Sequence, residues 1–387
     1  MFLERLTLKK LLSFNDCTLD LRPLNVLIGP NAVGKSNLIE AISLLQAAPT
    51  GIAGTILRGG GVRQWLWLGD AIPPVATIEC DALLSGGRHA GPINYQLQFS
   101  DNSHGFMIIL EERLQKPNGH AYLIRSSGSL NFGPAALESG ASPSLTNMGI
   151  PPNESILSQF RYPADPTPAT ELGSQFSNIQ TFREFRTGPG SAMRHGIPAS
   201  VRGDALEDGG ENLGLVLNEL DFFGVHDRIR EYLRRFCERF EDIKIRVAEG
   251  MARAYLREAG LSEMLSAVRM SDGTLKFLAL LTVLFHPTPP PLLCLEEPEV
   301  GLHPDALQLV AEALLEASQT TQLIVTTHSE ALVDALSERP ETVLVCERDF
   351  DNGTQMKRLS KEDLREWLED YSLGQLWRKG EIGGSRC

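Results

Sequence analysis

The sequence lacks any long apolar run, which argues against a membrane-spanning helix. The longest apolar stretch, residues 277–285, ends at His286 and a proline-rich cluster at 287–291, far short of the ~20 residues that a spanning helix needs. Residues 1–10 alternate charged and apolar side chains, where a signal peptide would carry an unbroken apolar segment. We therefore expect a cytoplasmic protein with no membrane partner.

Paired cysteine motifs are also missing. The six cysteines lie at positions 17, 80, 237, 294, 346 and 387, and no two of them form a C-x-x-C pair. This spacing predicts neither a disulfide framework nor a structural zinc site. We expect these thiols to be reduced.

An overall positive charge is absent as well, since the formal net charge is -13. Affinity for a phosphate backbone comes from clustered lysine and arginine, so extensive coating by nucleic acid is disfavoured. The most basic stretch, residues 228–246, alternates its arginines with Glu231, Glu238, Glu241 and Asp242. This pattern favours a helix with i,i+4 ion pairs, and a local DNA contact is the alternative.

The chain has 387 residues, of which 42% are hydrophobic, enough for a sizeable core. Its N-terminal part predicts strands at 2–8, 17–21 and 24–28, then an amphipathic helix at 35–46. Period-two patterns over 75–125 predict antiparallel strands with one wet face. We interpret residues 1–130 as an N-terminal lobe with an antiparallel β subdomain.

The rest of the chain changes character twice. Residues 126–205 are rich in Ser, Gly and Pro and predict an irregular insertion, followed by helices at 212–223 and 227–240. From residue 271 helices and strands alternate, which predicts a mostly parallel sheet covered by helices. The predicted elements are helices 274–285, 305–317 and 330–336 and strands 292–295, 323–327 and 342–346. The predicted lobes are thus 1–130, 131–265 and 266–387, which form one composite head.

The strongest motif follows the strand at 24–28 and opens the helix at 35–46. It satisfies G-x-x-x-x-G-K-[ST] with Gly29, Pro30, Asn31, Ala32, Val33, Gly34, Lys35 and Ser36, and Asn37 completes the predicted binding set. Such a loop turns backbone N–H groups onto phosphates, Lys35 reaches the β- and γ-phosphates, and the Ser36 hydroxyl binds Mg²⁺. A glycine-rich turn with a surface lysine is the alternative, and the strand–loop–helix context disfavours it.

A second motif delivers consecutive carboxylates at the end of the apolar strand 292–295. Ligands of open α/β sheets bind at the carboxyl ends of strands. We expect Glu296 to hold magnesium, directly or through water, and Glu297 to orient and polarise the attacking water. Acids that simply leave the strand into solvent are the alternative.

A histidine follows the next predicted strand. His328 comes directly after 323–327 and is expected to hydrogen-bond the γ-phosphate and sense hydrolysis. A lone histidine is often structural, but the neighbouring motifs favour a role for this one.

Together, Ser271-Asp272-Gly273-Thr274, the run Glu-Glu-Pro-Glu-Val-Gly-Leu-His-Pro at 296–304 and Thr327-His328-Ser329 resemble the SMC/RecF/OLD-type predicted ATPases, ABC-type heads of the AAA_21 kind. The resemblance covers about 1–47 and 266–346. It implies a P-loop NTPase fold of ABC-ATPase type, a mixed central sheet with an antiparallel β subdomain and a helical or irregular insertion. It also implies that ATP and Mg²⁺ are bound. In the ABC class, the signature serine and glycine of one head cap the γ-phosphate of the other, which implies this role for Ser271 and Gly273 in a homodimer.

Several positions depart from the family pattern. Glu296 stands where many P-loop enzymes have Asp, so magnesium coordination is expected to be shifted or water-bridged. The Ser-Asp-Gly-Thr signature differs from the Leu-Ser-Gly-Gly-Gln of transporter cassettes, and neither a coiled-coil arm nor a Toprim domain is visible in the sequence. Gln46 and Gln64 are candidates for the glutamine loop that joins the lobes.

The resemblance implies a role in DNA repair, DNA sensing or defence against phage, with DNA and a separate nuclease-like effector as candidate partners. An ATP-binding regulatory scaffold with little turnover is one alternative, and a transporter's ATPase subunit is another. Two local patterns remain. Asp351, Asn352 and Gly353 predict a turn that joins two strands, and a metal site at Asp349 and Asp351 is the alternative. Trp65 and Trp67 predict burial, with a partner-facing patch as alternative.

Overall fold

The computed structural model describes residues 1–70, 74–85, 89–102, 104–126, 129–139, 150–160 and 167–383. Its strands are β1 Leu3–Leu11, β2 Phe14–Asp20, β3 Leu24–Ile28, β4 Ala76–Leu84, β5 Gly91–Asp101, β6 Met107–Gln115, β7 Ala121–Ser126, β8 Ser129–Phe132, β9 Gln180–Phe182, β10 Ile197–Pro198, β11 Phe240–Ala248, β12 Met251–Glu258, β13 Leu265–Ser266, β14 Leu292–Glu296, β15 Gln322–Thr326, β16 Val343–Asp349 and β17 Gly353–Arg358.

The α-helices are α1 Lys35–Ala47, α2 Ile52–Arg58, α3 Val62–Trp65, α4 Pro134–Glu138, α5 Ala169–Ser177, α6 Ala192–His195, α7 Leu213–Phe222, α8 His226–Phe236, α9 Asp272–Leu284, α10 Leu307–Ala317, α11 Glu330–Asp334, α12 Trp367–Asp370 and α13 Leu373–Lys379. None of them, in the described ranges, combines the length and apolar character that crossing a bilayer requires.

The chain divides into two compact units. The first comprises Met1–Gln180, Glu341–Leu359 and Ile382–Cys387, and the second comprises Thr181–Pro340 and Ser360–Glu381. The three lobes expected from the sequence follow other boundaries, and that division stays a prediction.

The first unit contains a sheet with the strand order β8-β7-β6-β5-β4-β1-β2-β17-β16-β3. Neighbouring strands from β8 to β16 run antiparallel, and β16 pairs with β3 in parallel, Val343 opposite Val26. All five residues of β3 are buried, as expected of a central strand. The parallel pair β16–β3 therefore carries the loop that leads into α1.

The second unit is built around the parallel pair β14–β15, in which Glu296 lies opposite Thr326. A smaller antiparallel sheet has the order β10-β12-β11, and β13 also pairs with β12. Helix α9 buries ten of its 13 residues, so it is a core helix of this unit.

The mixed α/β fold with an antiparallel β region, predicted from the sequence, is confirmed. The predicted helix over 227–240 is wrong at its C-terminal end, because α8 stops at Phe236 and strand β11 begins at Phe240. The charges at 240–246 alternate with Ile243 and Ile245, and this period-two pattern indicates a strand. The ion pairs are real, but they run at i,i+3, as in Arg228–Glu231, and to other elements, as in Arg228–Glu316.

Candidate active site

The loop between β3 and α1 depends on unusual backbone conformations. Gly29 has φ +146°, Ala32 has φ +62° and Gly34 has φ +103°. A Cβ atom on Gly34 would collide with the hydroxyls of Thr354 and Ser13. These conformations turn consecutive peptide groups of the loop in directions that a regular strand or helix does not allow.

Thr354 on β17 braces this loop from within the first unit. Its side chain is fully buried, and its hydroxyl lies 2.6 Å from Val33 O and 2.7 Å from Ser13 Oγ. No local sequence pattern indicates this brace, because Thr354 and Val33 are 321 residues apart.

Lys35 and the start of α1 supply the positive charge of the loop. The Lys35 side chain is buried, and its Nζ donates to Gly29 O and Pro30 O at 2.9 Å each. Gly34 caps α1 without a side-chain hydrogen bond to the helix start. A 13-residue helix therefore presents its first N–H groups and its positive dipole end to the loop.

A cleft of about 820 Å³ adjoins the loop in the first unit. Its lining includes Asn31, Asn37, Trp67, Arg348 and Phe350, and Gln64 also faces it. Trp67 is 7% exposed and Trp65 is 4% exposed, so the predicted burial of both indoles is confirmed.

In the second unit, the predicted acids follow the buried strand β14. Glu296 ends the strand, and Glu297 comes next with φ +45°, a left-handed conformation that is uncommon outside glycine. Glu297 N donates to Thr326 O at 3.0 Å, which ties this residue to the end of β15. Such strain costs about 1–3 kcal/mol and tends to occur at functional sites.

His328 lies beside Glu297. Its Nε2 is 3.6 Å from Glu297 Oε1, which is too long for a hydrogen bond and short enough for an ion pair when the imidazole is protonated. The structure thus brings together the two residues that the sequence predicts to be catalytic.

Glu299 supports His328. It lies in the run at 296–304 that carries the family resemblance, but no role was predicted for it. Its side chain is buried, and its Oε1 accepts from Thr327 Oγ1 at 2.5 Å and from His328 N at 3.0 Å. Burial raises the pKa of the Glu299 carboxyl. In this position Glu299 fixes the backbone from which the histidine extends.

The predicted signature residues lie at the start of α9. Ser271 is the N-cap, and its Oγ accepts from Thr274 N at 3.1 Å. Gly273 packs closely on Gly301, because an added Cβ would lie 3.1 Å from Gly301 O. Ser271 is exposed, so the helix start is open to solvent at this end.

The segment after β9 reaches the first acid. Arg183 Nε lies 3.3 Å from Glu296 Oε1, beside a cavity of about 300 Å³ that is also lined by Lys276 and Glu297. Sequence reasoning missed Arg183 because this segment was interpreted as part of an irregular insertion. Gln46 instead donates to Ile179 O at 2.6 Å, and no observation assigns a glutamine loop to it or to Gln64.

The predicted turn after β16 is confirmed. Asp349 Oδ1 accepts from Asp351 N at 2.8 Å, and Asn352 Nδ2 donates to Asp349 Oδ2 at 3.0 Å. Asp349 therefore caps the β16–β17 hairpin. Within the described ranges, no three His, Cys, Asp or Glu side chains are grouped as metal ligands.

The donor groups fit a magnesium–triphosphate ligand. The loop of the first unit combines positive-φ backbone conformations, a buried lysine and a helix start without a side-chain cap, a combination suited to phosphates. Magnesium prefers oxygen ligands, which the Ser36 hydroxyl offers in the first unit and the Glu296 carboxylate offers in the second.

Comparisons with known proteins identify the family and the fold. Residues 24–334 match the model of the family described as "AAA domain, putative AbiEii toxin, Type IV TA system". A crystal structure of an Smc head bound to the C-winged helix domain of ScpA is similar, with 14% identity, a TM-score of 0.57, and coverage of 94% of this chain and 99% of that chain. An Smc head domain with an extended coiled coil, bound to the C-terminal domain of ScpA derived from Pyrococcus furiosus, has 14% identity and a TM-score of 0.50, over 95% and 99% of the two chains. No curated protein matches the sequence significantly.

Proposed function

The chain belongs to the AAA_21 family of AAA domains and has the fold of an SMC-type ATPase head, and from this premise we propose that it binds and hydrolyses ATP and dimerises when ATP is bound. The products are ADP and phosphate, with water as the attacking group. The family match covers the loop at 29–36, the acids at 296–297 and His328, so all parts of the predicted chemistry fall inside it.

Nucleotide binding is assigned to the loop. Its backbone N–H groups and the start of α1 hold the phosphates, Lys35 neutralises their charge, and Asn31 and Asn37 border the cleft beside them. The Ser36 hydroxyl would hold magnesium, which would supply positive charge to the phosphates when bound, and Glu296 offers a carboxylate ligand of the kind that magnesium prefers.

Hydrolysis is assigned to Glu297, with His328 as its neighbour. An exposed carboxylate can orient and polarise water, and the imidazole can donate a hydrogen bond to the terminal phosphate. One observation carries this proposal: Glu297 is held in a strained left-handed conformation 3.6 Å from His328, at the ends of two paired parallel strands.

Dimerisation is assigned to the start of α9. Ser271, Gly273 and the N-terminus of that helix would cap the terminal phosphate of a nucleotide bound by a second copy of the chain. A helix N-terminus attracts anions, so this geometry supports the assignment.

The biological role belongs to DNA repair, DNA sensing or defence against phage, with a separate nuclease-like effector. The description of the matched family includes a toxin of a toxin–antitoxin system, and this favours defence among the three. DNA and the effector are the partners we propose to test.

Phosphate release and size-exclusion runs test the activity. We expect Lys35→Ala to lose ATP binding, and Glu297→Gln to keep binding while turnover falls about 10²–10⁴-fold, the usual contribution of a general base. With ATP, Glu297→Gln should run as a trapped dimer. Glu219→Gln is the matched control, because Glu219 is an exposed acid of the same unit.

Equal turnover in Glu297→Gln and wild type would overturn the catalytic assignment. ATP binding by the wild type without measurable turnover would favour the regulatory scaffold.

A further inference from the structure

Arg194 in α6 is a buried arginine that contacts several groups near the start of α9. It is 8% exposed. Its Nε donates to Thr187 O at 2.6 Å, and its Nη2 lies 2.5 Å from Asp272 Oδ1. Its Nη1 contacts three carbonyls, those of Met270 at 2.6 Å and of Ala267 and Val268 at 3.2 Å each.

All of these acceptors except Thr187 O lie in one continuous segment. Residues 267–270 comprise a 3-10 turn and the residue before Ser271, and Asp272 is the first residue of α9. A guanidinium group presents its donors in a rigid planar fork, so contacts on both sides of Ser271 fix where the serine lies. An isolated surface ion pair involves one carboxylate, whereas Arg194 contacts four acceptors of a single loop, so its contacts hold the whole loop in place.

The contact between Arg194 and Asp272 also changes the charge at the start of α9. A carboxylate in the first turn stabilises a helix, but it repels a phosphate that approaches the same helix start. Arg194 offsets that charge, and its hydrogen bond holds the pKa of Asp272 below its usual range. The charge of the acid beside the exposed serine is therefore paired with a guanidinium group.

We propose that Arg194 is a positioning residue for the signature: it holds residues 267–272 so that Ser271 and the start of α9 can cap the terminal phosphate of a nucleotide bound by a second copy of the chain. This inference rests on the proposed function. The geometry of the dimer contact would then depend on Arg194, a residue outside every motif recognised in the sequence.

Arg194→Met tests the inference, with Arg194→Lys as the conservative variant and Arg186→Met as the matched control. The Arg186 side chain is 73% exposed and pairs with Glu211 at 2.8 Å, so its loss should change nothing. ATP affinity is measured by calorimetry, and the ATP-dependent dimer is measured by size exclusion with light scattering in a Glu297→Gln background.

We expect Arg194→Met to bind ATP within about twofold of wild type, because the loop at 29–36 is unchanged, and to weaken the dimer about tenfold or more, the effect of about 1.4 kcal/mol. Arg194→Lys keeps the charge but not the fork, so it should be intermediate. A general folding defect would instead lower ATP binding and dimerisation together.

A mixing experiment checks that the residue acts across the dimer. When the Arg194→Met protein is mixed with the Lys35→Ala protein, each mixed dimer contains one site with an intact loop from the first protein and an intact signature from the second. Turnover should therefore recover to the level reached by a mixture of the Ser271→Ala and Lys35→Ala proteins. Recovery in the serine mixture alone would overturn the inference.

Ser271→Ala distinguishes a failure of the inference about Arg194 from a failure of the proposed function. If Ser271→Ala loses the dimer and Arg194→Met keeps it, the inference about Arg194 is wrong and the proposed function stands. If Ser271→Ala itself keeps the dimer, the proposed role of the signature fails, and the inference fails with it.

Discussion

The loop at 29–36 and the acid–histidine group, Glu297 with His328, are built in opposite ways. The loop is one run of residues whose shape depends on backbone conformation at Gly29, Ala32 and Gly34. The acid–histidine group joins residues from two strand ends, and hydrogen bonds donated to the Glu299 carboxylate hold the backbone of His328. Backbone changes should therefore break the first region, and side-chain truncation should break the second.

Both regions share one physical feature. Ala32 and Glu297 are non-glycine residues with positive φ, and each lies where a phosphate or a water is expected to be held. The surrounding structure must offset this strain. In the loop the brace is Thr354, and beside β14 it is the bond from Glu297 N to Thr326 O.

The largest effect is expected from Gly34→Ala. The new Cβ would collide with Thr354 and Ser13 at a residue whose φ is +103°, so the loop cannot keep its conformation. Strain of about 1–3 kcal/mol, with the collision added, corresponds to a loss of roughly 10²-fold or more in ATP affinity. Isothermal calorimetry measures this loss.

Gly54→Ala is the control for that change. Gly54 lies inside α2 of the same unit, where an added Cβ makes an ordinary 3.5 Å contact with Arg58 Nη1. We expect unchanged ATP affinity and a gain of up to ~1 kcal/mol in the free energy of unfolding. Equal affinities for both variants would contradict a backbone-built loop.

The next effect is expected from Glu299→Ala. The change removes the acceptor of His328 N and the Thr327 hydroxyl, and a misplaced catalytic group costs roughly 10–100-fold in turnover. Glu299→Gln keeps a carbonyl oxygen as acceptor and should retain most of the activity. Steady-state kinetics should show a lower kcat for ATP hydrolysis by Glu299→Ala than by wild type, with ATP affinity unchanged.

Loss of ATP binding in Glu299→Ala, or a similar loss of turnover in Glu219→Ala, would contradict the division of labour between the two regions.

The smallest effect is a pH dependence that belongs to the second region alone. Burial raises the pKa of Glu299 above that of an unfolded glutamate, about 4.3. Below that value the carboxyl is protonated in both states. As pH rises, the unfolded chain ionises first, so wild type should lose free energy of unfolding relative to Glu299→Gln until the pH passes the folded pKa.

Urea unfolding of both proteins across the acid-to-neutral range measures that difference. A gap that instead grows in favour of wild type as pH rises would mean that Glu299 is stabilised as a carboxylate. Gly54→Ala introduces no titrating group, so its free energy of unfolding should change with pH as that of wild type does, with a constant offset between them.

Much of the fold was predictable because its signals are local. The predicted helix at 35–46 appears as Lys35–Ala47, and the predicted strand at 323–327 appears as Gln322–Thr326. The strand Phe240–Ala248 was missed because its alternating charges were interpreted as helical ion pairs. The three-residue strand β9 was missed because so short a run has no measurable period.

By itself, the sequence determined the order of strand, glycine-bearing loop and helix over residues 24–47, and it placed Glu296, Glu297 and His328 at or directly after strand ends. Those signals lie in contiguous residues whose backbone preferences and spacing are set locally. Only the tertiary structure decided that Glu299 holds His328 and that Arg194 holds the segment around Ser271. Those hydrogen bonds join residues up to 78 positions apart, and no local preference specifies which distant polar groups will meet inside a folded unit.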